Sequence, residues 1–314
     1  YKLAVDGHVE KITPLQNLDI VLDANGPSAR LLLDLIGAEE VRDGQFSIVT
    51  HLHDLDGKFS WFAHLSLGEL MLHGQLTHSL ADKDFRLDFN GAGPSLKEAG
   101  ALVDYLNYSE LPFITSGVLT RIGNRLTLEE SQIQLGEGYF KASGALPNFP
   151  ALDDWQLNIS AKQFDLTILQ PFSPCEIPNL PMDWTGNFSS AETGPEIFSL
   201  ELSGPTQVLN VSGELGKYPD FIGSIIEIKS KGLDLNTLTG CVGLPAFEPS
   251  TFETSLSLKN LESGWQIQDW TLNSVLLNAE SNLLFNTDGT ILGHTSISTN
   301  NLKTLTTTFG FDSG

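Results

Sequence analysis

Apolar residues recur at every second position along this chain, in short runs punctuated by glycine, asparagine and proline. Residues 85 to 154 show the pattern most completely. Phe85, Leu87 and Phe89 alternate with polar neighbours and run into Gly91, Gly93 and Pro94, which predicts a strand of period two closed by a turn. The period then lengthens. Ser95 with Glu98 three residues on has the spacing of a capping box, and Ala99, Leu102, Val103 and Leu106 share one helical face, so a short helix is expected over Ser95 to Leu106. Beyond Pro112 the alternation returns around Val118 to Thr120, at Leu126 and Leu128, at Ile133 and Leu135, and from Phe140 to Leu146. These read as separate strands joined by tight turns at Gly123-Asn124 and Gly136-Glu137-Gly138, where glycine or asparagine supplies positive φ.

The pattern repeats. Strand-end glycines at Gly7, Gly74, Gly144 and Gly213 are 67, 70 and 69 residues apart, and Ser281 falls one step later. Gly26-Pro27 and Gly93-Pro94 are also 67 apart, and Leu169, Leu238 and Leu305 are spaced by 69 and 67. Three rulers in step define modules at 18–84, 85–154, 155–220 and 221–290, with residues 1–17 closing a preceding module and 291–314 opening a fifth. A chain that starts and stops in mid-module reads as a piece of a longer array. Further short helices are expected near Ser28 to Ile36 and as one turn at Leu235 to Gly240. The rest, rich in β-branched and aromatic residues, gives an all-β, antiparallel fold with roughly five strands per module.

Each alternating strand has one apolar face that needs a partner. Two arrangements satisfy it: a closed sandwich or solenoid, or an open groove whose lining accepts an apolar ligand. In the second case the lining comprises Leu70, Leu72, Leu87, Phe89, Leu119, Leu126, Leu128, Ile133, Leu135, Phe140, Leu200, Leu202, Leu209, Val211, Ile267 and Leu283.

Charge narrows the partners. Seventeen Lys+Arg against 39 Asp+Glu give a formal net charge of −22, which repels nucleic acid phosphates and anionic membrane surfaces. No apolar run approaches the roughly 18 residues of a membrane helix. The chain opens at Tyr1 without a signal-like segment, so a signal or anchor is expected outside these residues.

The string PFITSGVLTRIGNRLTLEESQIQLGEGYFKASGAL, preceded by GPSLKEAGAL and followed by FPALDD, resembles the C-terminal repeats of AsmA-like proteins, the envelope group that includes TamB. The resemblance covers most of the chain and rests on repeat pattern, since that family has no catalytic signature. It implies an elongated, twisted, U-shaped (taco-like) β-groove spanning the periplasm of Gram-negative bacteria. Strand spacing agrees, since four to five modules of roughly five strands at about 4.8 Å give a trough on the order of 100 Å long. The resemblance further implies an inner-membrane anchor N-terminal to the repeats, an outer-membrane protein partner, and bridge-like carriage of phospholipid between the membranes, without enzymatic chemistry or cofactor. The competing expectation is a structural β-solenoid or outer-membrane assembly scaffold with a closed core.

Other constellations read as unreactive. His51 and His53 share one face of a strand, with His64, His73 and His78 in the same module; solvated strand-face histidines are expected, because a metal site needs three or four convergent ligands. Cys175 and Cys241 lie 66 apart in equivalent loops, where stacking of repeats would bring them within disulfide reach in an oxidising compartment, separate thiols being the alternative. The acid pairs Glu39-Glu40, Glu129-Glu130 and Asp153-Asp154 are expected in solvated turns, since adjacent strand residues point to opposite faces and do not converge on a substrate. The glycines of residues 91–94 lack the rest of a dinucleotide fingerprint, and the sequons at Asn107, Asn158, Asn187 and Asn210 read as coincidental.

Overall fold

The computed structural model describes residues 1–12, 15–30, 33–34, 42–55, 58–79, 84–101, 110–151, 153–165, 181–190, 196–216, 220–234 and 250–299. The chain divides into two compact units, Tyr1–Leu157 and Asn158–Gly314. Unit 1 holds β1 (Lys2–Ile12), β2 (Leu15–Gly26), β3 (Phe46–Leu55), β4 (Lys58–Leu67), β5 (Leu70–Ser79), β6 (Phe85–Gly93), helix α1 (Leu96–Ala101), β7 (Phe113–Ile122), β8 (Arg125–Leu135) and β9 (Gly138–Leu146). Unit 2 holds most of β10 (Gln156–Asp165), then β11 (Pro181–Ser189), β12 (Glu196–Ser203), β13 (Gln207–Leu215), β14 (Ile225–Gly232), β15 (Phe252–Leu261), β16 (Gly264–Ser274), β17 (Leu277–Asn286) and β18 (Ile291–Thr299). The fold is all-β and antiparallel, and the sheet is open, not closed into a barrel. In unit 1 every strand from β1 to β9 pairs with the next in sequence; in unit 2 the same holds from β11 to β18.

Among the described residues each seventy-residue span contains four strands, not the five expected: β2–β5, β6–β9, β10–β13 and β14–β17. The difference lies in β8. Leu126 and Leu128 have the opposite sequence parity to Ile133 and Leu135, which suggested two strands. One strand carries both pairs, because an extra residue interrupts the ladder between Leu128 and Ser131, with Glu130 at φ 45°. This β-bulge flips the parity, so Leu126, Leu128, Ile133 and Leu135 all face the same side. Glu129-Glu130 therefore sits within a strand and not in a solvated turn. β16 repeats the device two modules on: Asp269 has φ 50° where the register slips between Ile267 and Trp270, and its amide donates to Asn282 Oδ1 at 2.9 Å.

The long connection of each module follows its first strand. In the second module Ser95 accepts from the amide of Glu98 through Oγ, at 3.4 Å, so the expected cap opens α1; residues 102–106 of the expected helix lie outside the described residues. In the first module residues 30, 33 and 34 are helical. Asp43 holds this turn from outside it. Its Oδ1 accepts from the amides of Ala29 and Arg30 at 2.8 and 3.0 Å, and Ser28 Oγ donates to both carboxylate oxygens. Chiefly the Ser28 bond, with the backbone donors adding and burial opposing, holds the Asp43 carboxyl below the usual carboxylate range. A carboxyl depressed on folding stabilises above its unfolded value and stops doing so as pH falls through its folded one. Amide exchange at Ala29 and Arg30 should therefore quicken below the ordinary carboxylate range, and in Asp43→Asn already at neutral pH; unchanged protection in the variant would refute the capping role. The expected turn at Leu235–Gly240 lies outside the described residues, as do Cys175 and Cys241.

A buried cluster forms at the strand ends from which these connections leave. Phe46, Leu67, Leu70, Phe113 and Leu135 are buried in unit 1, and Phe252, Leu272, Leu277 and Ala279 in unit 2. Phe46, Phe113 and Phe252 lie directly opposite Gly26, Gly93 and Gly232, and their rings occupy the space a Cβ there would need. One glycine–phenylalanine pair thus seals the first strand of three modules against the second, an aromatic ring covering backbone that carries no side chain.

Candidate functional site

Residues opposite one another in an antiparallel ladder project to the same side, so the register sorts every described strand residue onto one of two faces. In unit 1 a row crosses all nine strands as Gly7, Ile20, Leu52, Trp61, Leu76, Leu87, Leu119, Leu128 and Gly144. The parallel row through Leu65, Leu72, Gly91, Thr115, Ile133 and Phe140 lies on the same face. In unit 2 the corresponding row is Phe188, Phe198, Gly213, Ile226, Leu258, Ile267, Leu283 and Gly293, beside Leu200–Val211 and Leu202–Leu209. All sixteen residues expected to line a groove fall on this apolar face of their unit. The bulges at Glu130 and Asp269 are what keep Leu126, Leu128 and Ile267 there.

Burial divides the sixteen. Leu70, Leu135 and Leu202 are 1%, 6% and 9% exposed, so these three are core near strand ends and not lining. The other thirteen are half-buried, covered by their neighbours along the face but open to solvent from above. Trp61, 37% exposed, lies flat enough for its Nε1 to donate to Thr50 Oγ1 at 2.7 Å. Among the described residues of unit 1, the charged groups on this face stand near strand ends, Lys11 on β1, Asp54 on β3 and Arg121 on β7; Arg121 covers the Phe149 ring at 5.1 Å. The face can hold extended apolar matter.

The opposite face is polar. Arg86 grips Asp88 through two bonds of 2.8 Å, Lys2 donates to Asp23 at 2.7 Å, and Gln132 donates to Ser116 at 3.0 Å. It also gathers the histidines, save His78, which lies on the apolar side. His64 and His73 are direct cross-strand partners, with ring centroids 6.2 Å apart. Of greater interest, β2 sets Asp19 beside His51 and His53. Asp19 is opposite His53, His51 Nε2 lies 2.7 Å from Asp19 Oδ1, and His53 Nδ1 lies 3.9 Å from the same oxygen. First the His51 hydrogen bond, then the charges of His51, His53 and His8 with burial opposing, keep the Asp19 carboxyl low. The sequence pointed to the histidines but not to Asp19, 32 residues from His51, which only the β2–β3 register brings near.

No helix among the described residues is long and apolar enough to cross a membrane. Compared with family models, curated proteins and solved structures, the chain matches none.

Proposed function

We propose that this chain is a non-enzymatic lipid-binding segment of AsmA-like type, whose apolar face conducts phospholipid between the inner and outer membranes of a Gram-negative envelope, held to the inner membrane by a segment outside these residues. One observation carries the reading: an uninterrupted apolar row crosses all nine strands of unit 1, and the lining residues beside it are only half-buried. Nine strands at about 4.8 Å give each unit a width of about 40 Å, enough for an acyl chain to lie across several strands. Each CH₂ moved from water onto such a lining gains about 0.8 kcal/mol. A lining of near-uniform leucine, isoleucine, phenylalanine and glycine lets the chain move without a deep trap. The competing reading, a solenoid or assembly scaffold with a closed core, draws on Leu70, Leu135 and Leu202.

Organic extraction of the purified chain followed by mass spectrometry separates the two. Co-purified phospholipid, with photo-crosslinks from Leu128 and Leu209 on the apolar face and none from Thr127 or Asn210 on the polar one, is the expected result. A clean extract together with no uptake of a fluorescent phospholipid would leave only the scaffold.

A further inference from the structure

We propose that Asp19, His51 and His53 form a binding site for a divalent transition cation of the zinc class, on the polar face of β2 and β3 and on the opposite side of the sheet from the apolar rows. The donor set is a carboxylate and two imidazoles whose ligand atoms all lie within 4.8 Å of one another. His51 and His53 are alternate residues of one strand, so both project to one side, and the ladder places Asp19 directly across from His53. A tetrahedral site with bonds of about 2.0–2.1 Å separates its donors by about 3.3 Å. The two separations to Asp19 Oδ1, 2.7 Å from His51 and 3.9 Å from His53, bracket that value. The two imidazole donors lie within 4.8 Å of each other and would have to close toward the tetrahedral value by side-chain rotation, for which the three side chains, 40–44% exposed, have room.

A second observation points the same way. His53 Nδ1 is shielded from solvent and has no hydrogen-bond partner, an arrangement that costs free energy unless something satisfies the nitrogen. A cation between it and Asp19 would do so. Water would complete the coordination, and His8, opposite Asp19 on β1, adds a further imidazole on that face. Nitrogen-rich ligation favours zinc, nickel or copper over magnesium or calcium, which take oxygen. The formal charge of −22 raises the local concentration of any cation.

Cobalt(II) tests the site, since tetrahedral Co²⁺ with nitrogen ligands absorbs strongly in the visible. The full chain, first stripped with a chelator, should develop that spectrum at one equivalent of Co²⁺ and lose it to added Zn²⁺. His51→Ala and His53→Ala should each weaken binding more than about 100-fold, beyond the 10–100-fold that loss of an outer-sphere partner costs. Asp19→Asn should weaken it at least tenfold, while His78→Ala and His294→Ala leave it unchanged. Circular dichroism of each variant reports folding, and in the unaltered chain Co²⁺ should shift the ring protons of His51 and His53 but not those of His78. Absence of the spectrum, affinity undiminished in the three ligand variants, or paramagnetic shifts centred on His64 and His73 instead would each overturn the proposal. Since the site is on the polar side, none of these outcomes bears on lipid binding.

Discussion

Replacing Leu70 by alanine should cost about 2–5 kcal/mol, the range for truncating a fully buried leucine that leaves a cavity. Leu70 is 1% exposed, opposite Leu67, which is itself opposite Phe46, so no neighbour can collapse into the gap without leaving its own contacts. The same substitution at Leu128 should cost only about 1 kcal/mol, because a half-buried side chain surrenders about half the transfer free energy of its three carbons. Urea unfolding of the two variants, followed by circular dichroism, measures the contrast. Both residues are on the apolar face, so the comparison asks directly whether that face is covered. Equal losses would mean that Leu128 is as enclosed as Leu70, and the open-groove reading would fail with it.

The glycines that mark the repeat give the second large effect. A Cβ on Gly213 would fall on the carbonyl oxygen of Ile225 in the next strand, and one on Gly7 would fall on that of Asp19. The obstacle is backbone and cannot rotate away. Gly213→Ala should therefore destabilise unit 2 by about 1–3 kcal/mol, the usual penalty of overpacking. Gly74, the same marker one module on from Gly7, has nothing within 4 Å of the equivalent point. Gly74→Ala should be tolerated, and restricting the unfolded chain gives it a small gain, about 0.4–1 kcal/mol. If the two substitutions have the same effect on the unfolding midpoint, close strand approach is not why Gly213 is a glycine.

Alternation made the faces legible in advance: Leu87, Leu119 and Leu128 stand in one row because period two and tight turns leave little freedom of register. Strand number was less legible. Glu129-Glu130-Ser131 between two apolar pairs looks like a turn, and a β-bulge uses the same polar residues and the same positive φ, so only the ladder distinguishes a strand that bends from one that ends. Burial was not legible either. Leu70 and Leu72 differ by one pleat, and what separates core from lining is distance from the strand end. The Asp19 cluster was hidden for a related reason, since the length of the β2–β3 connection gives no hint of how far β3 slides along β2.

A module of four strands, counted together with the connection into the next, makes an even number of chain reversals. Its successor consequently sets out in the direction in which it did, and within unit 1 the long excursions after β2 and β6 emerge along one margin of the sheet. Growth or shrinkage of those excursions would reshape that rim alone. Inserting a hairpin would preserve the polarity of everything downstream, whereas inserting a single strand would invert it and send the next excursion to the opposite rim.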